Sequence, residues 1–289
     1  LPRQCPPKKT VKERFAMFVR TASAEFFHSF ANLRRAATLV FATFFIIASS
    51  LAASAAASDS RYAAYVIDAK TGQVLFAKNA DKRRFPASLT KMMTIYLLFE
   101  AMKTGRVSPQ TQIPVSARAA AEPPTKLGVR AGGSVSVDTA IKSLVTRSAN
   151  DIATAVAEYL GGSEDGFARM MTNKARQLGM TGTQYRNAHG LPNPNHWSTA
   201  RDQAILGIAL REHFPQYYRY FSVRSFQFGK QNIHSHNRLL GKLEGSDGIK
   251  TGYTRASGFN IATSVQRDGR SIVVVVMGGS SAASRDQHV

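Results

Sequence analysis

Ser88 and Lys91 stand three residues apart in PASLTKMMTIYLLF, residues 86–99. That spacing puts both on one face of a helix. A serine hydroxyl is a weak nucleophile until a base takes its proton. A lysine can be that base only where burial and nearby positive charge bring its pKa toward neutrality. The run from Met92 to Phe99 is apolar on nearly every side, so the helix is expected to be buried. Lys91 in its first turn would then meet both desolvation and the positive end of the helix dipole. The same turn offers backbone N–H groups that can stabilise an oxyanion. The competing interpretation is an ordinary capping serine beside a lysine that snorkels to the surface.

Two further clusters carry side chains of the right kind. In VTRSANDIA, Ser148 and Asn150 fall where a new helix begins. A hydroxyl there can relay a proton and an amide can hold a substrate carbonyl, although either residue could simply cap the helix. Lys-Thr-Gly occurs three times. Residues 70–72 read as a hairpin turn and residues 103–105 as a helix end. Only Lys250-Thr251-Gly252, in GSDGIKTGYT, lies in an extended segment before a strand. The tripeptide is weak alone; the ordered trio is far more specific.

The elements that must position these residues can be read from hydrophobic period and punctuation. AAYVIDAKTGQVLFAKNAD alternates about Lys70-Thr71-Gly72 as two hairpin strands. The buried helix ends near Lys103 with Gly105 as its C-cap. SVDTAIKSLVTRS, NDIATAVAEYLGG, GFARMMTNKARQLGM and TARDQAILGIALREHF read as four more helices, the last capped by Thr199 or Ser198. A Gly-, Pro- and Asn-rich loop, TGTQYRNAHGLPNPNHWS, joins the last two. From Val223 the period changes to strands: SVRSFQFGK, SGFNIATSVQ and SIVVVVMGG. Two strands, a helix, a helical block and three strands predict one mixed sheet built from both ends of the chain, with a helical insertion.

The chain resembles the serine-type D-alanyl-D-alanine carboxypeptidases among the low-molecular-mass penicillin-binding proteins. The similarity runs over about residues 62–285 and includes DAKTGQVLFAKNAD, FPASLTKMMT, NAHGLPNPNHWSTARD and DGIKTGYTRASGFN. It implies a mixed α and β fold, three-layer α-β-α, with a mainly antiparallel sheet and an inserted all-helical region. It implies that Ser88 is the nucleophile and Lys91 its general base, that Ser148 relays the proton to the leaving amine, and that Asn150 helps hold the substrate. Lys250 and Thr251 would bind the terminal carboxylate. Backbone N–H groups of Ser88 and Tyr253 would form the oxyanion hole, and Gly252 would let the peptide lie close to its strand. The reaction so implied is removal of the terminal D-alanine from peptidoglycan stem pentapeptides, trapped by β-lactams as an acyl-enzyme, with no cofactor and no metal. Tyr253 stands where many relatives have histidine. The sequence ends at SSAASRDQHV, at the start of what in the family would be a closing helix, so the expectation is a catalytic domain lacking that helix and the membrane tail.

Other readings compete on particular residues. A DD-endopeptidase uses similar groups. A class A β-lactamase needs a glutamate for its deacylating water, and the loop before Trp197 has no acid from Glu164/Asp165 onward, while Ser-Ala-Asn replaces Ser-Asp-Asn. A non-catalytic penicillin-sensing or wall-binding protein would be expected to lose Ser88 or Lys91, and both are kept. His189, His196 and Asp202 could suggest a metal site, but their spacing fits no helix-borne ligand pair.

The net charge of +20 spread over 289 residues allows an anionic partner. Yet there is no recognition helix, RNA-binding signature or zinc spacing, and nucleic acid is not expected. Residues 1–35 are basic, Ala36 to Ser58 are uncharged, and the apolar centre Leu39–Ile47 gives way to small residues ending at Ala57. That order reads as a signal peptide, with 1–57 removed and 58–289 as the catalytic domain. Export to the periplasm or cell envelope follows, with membrane attachment only through an uncleaved N-terminus or a missing C-terminal tail. Cys5 is the single cysteine, so a thiol nucleophile or thiolate metal site in 58–289 is excluded.

Overall fold

The computed structural model describes residues 61–289. The expected basic region, signal peptide and Cys5 lie outside them. In chain order the elements are β1 (Ala63–Asp68), β2 (Val74–Lys78), a 3₁₀ turn (Ala87–Thr90), α1 (Lys91–Lys103), β3 (Gln112–Pro114), α2 (Ala117–Ala121), β4 (Ser134–Ser136), α3 (Val137–Thr146), α4 (Asn150–Gly161), α5 (Glu164–Gln177) and α6 (Ala200–His213). A second 3₁₀ turn (Tyr218–Ser222) leads to β5 (Ser225–Phe228), β6 (Gln231–His234), β7 (Ser246–Thr254), β8 (Gly258–Arg267), β9 (Arg270–Gly279) and α7 (Ala282–Gln287). No helix among the described residues is long and apolar enough to cross a membrane.

Local chemistry explains most boundaries. The β1–β2 turn is pinned by Asp68, whose Oδ1 accepts from the N–H groups of Lys70 and Thr71. Helix α1 ends as expected: Gly105 takes φ +75°, its N–H reaches Met102 O and the next N–H reaches Ala101 O. Ser136, Ser163 and Thr199 cap α3, α5 and α6 by accepting from the backbone N–H three residues on.

The five-stranded sheet has the order β2-β1-β9-β8-β7, with every neighbouring pair antiparallel. Strands from the two ends of the described chain therefore meet at its centre, with Ala63 opposite Met277 and Asp68 opposite Ile272. Period-two alternation gives the sheet two apolar faces. Tyr65, Val273, Val275 and Met277 join the main core with α1 and the helical insertion. Ala64, Ile261, Val274 and Val276 face the other way, with Leu239 and the partly buried Leu243 and Val289 against them. Helices on one face, and the 239–243 segment with α7 on the other, give the layered fold.

Two strand assignments change. SVRSFQFGK does not enter the main sheet: Ser225–Phe228 pairs with Gln231–His234 across Gly229 as a separate hairpin. The edge place is taken by β7, which contains Lys250-Thr251-Gly252 itself and pairs with β8 from Ser246↔Val265 to Thr254↔Gly258. Its Gly248, Lys250 and Gly252 interrupt any apolar alternation, so pairing with β8 rather than local propensity makes it a strand.

Candidate active site

The segment holding Ser88 is a 3₁₀ turn that continues into α1, with Lys91 as the first α-helical residue. A 3₁₀ turn stacks residues i and i+3, so the expected shared face is realised in tighter form. Asn260 of β8 fixes the entry to the turn: its Nδ2 donates to Phe85 O and Pro86 O, and its Oδ1 accepts from Gly278 N. Lys91 is fully buried. Its Nζ lies 3.3 Å from Ser88 Oγ, 2.7 Å from Asn150 Oδ1 and 2.8 Å from His189 O. Burial, and then the Lys250 cation, hold the Lys91 pKa well below its usual value, with Asp151 and Glu122 opposing. A neutral amine has two hydrogens. Donated to the two short acceptors, they leave the lone pair toward Ser88 Oγ.

Neither Ser148 nor Asn150 is a helix cap. The N-cap of α4 is Ala149, which makes no side-chain cap bond. Asn150 instead accepts from Lys91 and donates through Nδ2 to Pro123 O. Ser148 is held at φ +61°, a conformation that costs a non-glycine residue energy and is found where surrounding structure imposes it. Its buried Oγ has no hydrogen-bond partner among the described residues.

On β7, Gly252 lies opposite Asn260 in the ladder. A Cβ at Gly252 would stand 2.9 Å from Ser88 N and 3.1 Å from Pro86 O. The missing side chain thus lets the strand close on the turn that holds Ser88. Lys250 is 1% exposed and donates to Thr251 O. Burial, then Arg285, lowers its pKa to about 7. Tyr253 is exposed, its ring 4.3 Å from that of Phe259.

A cavity of about 620 Å³ is lined by Ser88, Ser148, Asn150, Thr251, Gly252 and Tyr253, six of the eight residues singled out from sequence. Lys91 and Lys250 lie buried behind its wall. His236, Arg238 and the buried Arg285 also line it with no sequence signal to mark them, as does His189, which the sequence offered only as a candidate metal ligand. Glu122 and Glu164, which stand beside His189, do not line it. Of the residues weighed as metal ligands, His196 is committed to Thr90 Oγ1 and Arg186 N, and Asp202 to Thr183 Oγ1.

Residues 50–281 match the D-alanyl-D-alanine carboxypeptidase family. The chain belongs to that family. It is 34% identical over 223 residues to the D-alanyl-D-alanine carboxypeptidase DacC of Escherichia coli (strain K12), covering 75% of this chain and 56% of that protein. To DacF of Bacillus subtilis (strain 168) it is 31% identical over 235 residues, covering 78% and 59%. The chain thus spans less than two thirds of the length of these relatives. Among solved structures, penicillin-binding protein 5 from Haemophilus influenzae superposes with a TM-score of 0.75 at 32% identity, over 78% of this chain and 67% of that one. Penicillin-binding protein D2 from Listeria monocytogenes, solved in a cefotaxime-bound form, superposes with a TM-score of 0.71 at 29% identity over 78% and 92%. The fold expected from the sequence is the fold of these carboxypeptidases.

Proposed function

We propose that the chain acts as a serine-type D-Ala-D-Ala carboxypeptidase on peptidoglycan stem pentapeptides, with β-lactams as inhibitors. The observation that carries this reading is the fully buried Lys91 amine, directed at Ser88 Oγ by two short acceptors. Lys91 takes the Ser88 proton as Ser88 Oγ attacks the carbonyl carbon of the penultimate D-alanine. The negative charge that develops on the carbonyl oxygen is met by the backbone N–H groups of Ser88 and Tyr253, brought together by the close approach of β7 at Gly252. Collapse breaks the C–N bond, and the proton passes through Ser148 to the leaving amine. Water then cleaves the Ser88 ester and releases the tetrapeptide. Asn150 supports Lys91 and the bound peptide. Thr251 contacts the terminal carboxylate, and the buried Lys250 and Arg285 supply the positive field behind it.

Glu164 bears on the β-lactamase alternative. It is buried, ion-paired with Arg118 and bonded to His189, so its position gives no support to a deacylating role. We assign residues 58–289 to the catalytic domain and residues 1–57 to a basic region and signal peptide; on that assignment the protein acts in the periplasm or cell envelope.

The test is mass spectrometry of the full chain after exposure to a penicillin. The parent gains one penicilloyl mass, carried by the peptide containing Ser88, and Ser88→Ala gains none. A folded parent without an adduct would refute the acyl-enzyme reading.

A further inference from the structure

Lys91 is oriented partly by a backbone carbonyl, that of His189, and the structure shows how that carbonyl is held. The His189 ring is 5% exposed. Its Nδ1 accepts from Leu191 N at 3.0 Å, so the ring hydrogen is on Nε2, which lies 3.0 Å from Glu164 Oε1. Glu164, on the first turn of α5, is itself buried and pairs with Arg118 of α2. The turn is clamped along its length. Thr94 Oγ1 donates to Ala188 O, and Gly190 N donates to Asn187 Oδ1. Gly190, at φ +88°, lets the turn pass so close to Ala87 that a Cβ would lie 1.8 Å from Ala87 O.

Glu122, Glu164 and His189 bring their ligand atoms within 4.8 Å of one another, an arrangement that invites a cation. Here, however, both ring nitrogens are spent, one as acceptor from Leu191 N and the other on Glu164. Glu164 is neutralised by Arg118, and Glu122 accepts from Thr154 Oγ1. The cluster is a finished hydrogen-bond network, and its product is a fixed position for the carbonyl of His189.

We propose that the buried His189–Glu164 pair positions the general base, by holding the His189 carbonyl where it takes one hydrogen of the Lys91 amine and leaves the lone pair on Ser88 Oγ. His189 lines the cavity, but both of its ring nitrogens are engaged away from Ser88 Oγ, by Leu191 N and by Glu164. The pair acts through the turn, and the hydrogen bond it needs from Glu164 is acceptance of the His189 Nε2–H. This rests on the Ser88 acyl-enzyme reading above. A carbonyl displaced by about 1 Å would misdirect the amine at a cost on the order of a hundredfold in rate.

The experiment follows acylation of the full chain by a fluorescent penicillin, with the adduct located by mass spectrometry and thermal melts run alongside. Glu164→Ala and His189→Ala should lower the limiting acylation rate about 10- to 100-fold and leave the half-saturating penicillin concentration within about threefold. Glu164→Gln keeps an acceptor for Nε2–H and should recover most of the lost rate. That rescue separates positioning from charge, and the split between rate and half-saturation separates it from loss of fold. If His189→Ala does not fold, the Glu164 pair of variants decides. Folded Glu164→Ala acylating at the parent rate would overturn the proposal, as would Glu164→Gln as slow as Glu164→Ala. A parent that acquires no adduct on Ser88 would remove both this proposal and the reading beneath it. A parent that reacts normally beside unaffected variants would remove this proposal alone.

Discussion

His196 should make the fold acid-sensitive by a calculable amount. The ring is 2% exposed and bonded at both nitrogens, to Arg186 N at 3.1 Å and Thr90 Oγ1 at 2.8 Å. Burial, with His189 and Arg186 adding to it against Glu164, holds its pKa at about 3. In an unfolded chain the same group titrates near 6.5. The unfolded state therefore binds a proton that the folded state refuses, and stability must fall as pH drops from about 6.5 toward 3. The slope is about 1.4 kcal/mol per pH unit, so at about pH 4.5 the loss is about 3 kcal/mol. Urea unfolding of the parent and of His196→Gln, compared at about pH 7.5 and about pH 4.5, isolates this contribution because every other group is common to both curves. The variant should be the less stable protein at neutral pH, having lost packing against Tyr185. Its disadvantage should shrink by about 3 kcal/mol on acidification. Parallel pH curves for the two proteins would show that His196 is protonated in the fold, and the assignment of a neutral ring bridging Arg186 and Thr90 would be wrong.

Two other perturbations test the site directly. Gly190→Ala forces a Cβ to within 1.8 Å of Ala87 O at a positive φ; it should lower the melting temperature and slow penicillin acylation at least about tenfold, and an unchanged rate would mean the turn carries no positional information. Lys250→Met removes a cation that lowers the Lys91 pKa, while Glu122→Gln removes a charge that raises it. The acid limb of the acylation rate should move to higher pH in the first and to lower pH in the second, and a shift of both in the same direction would dissociate that limb from Lys91.

The parts of the site legible in the sequence were those whose geometry is local. Ser88 and Lys91 are three residues apart on one continuous turn, and a cation inside an apolar helix identifies itself by its cost. Ser148 and Asn150 were legible as residue types only. Capping was an equally good reading until the α4 N-cap proved to be Ala149 and the Asn150 amide proved to bridge Lys91 and Pro123. The carbonyl of His189 had no sequence signal, because every residue has a carbonyl. Glu164 reaches His189 from 25 positions upstream by tertiary packing alone. Strand β7 was missed for a related reason: its glycines and Lys250 serve the approach to Ser88 and the pocket, so the segment lacks the alternation by which a strand is recognised. The main-sheet hairpin, the capped helices and β8–β9 keep their periodicity, even though Asn260 of β8 also serves the Ser88 turn, and that periodicity was sufficient.

The pairing of β1 with β9 fixes the order in which the pocket can come into being. Residues 63–68 pair locally with β2 but find their second partner only among residues 272–277, and the Ser88 turn gains its neighbour only when residues 250–252 arrive on β7. Contacts of such sequence separation form late, after the chain has met the entropy of closing the loop between them. The helical insertion can collapse around α1 earlier, since its contacts are more local. A chain in which β7 has not yet docked thus holds Ser88 and Lys91 on their turn without the strand that stands against it. On the acyl-enzyme mechanism proposed above, reaction would wait for that docking, and an incompletely folded molecule would hold a serine that cannot yet react.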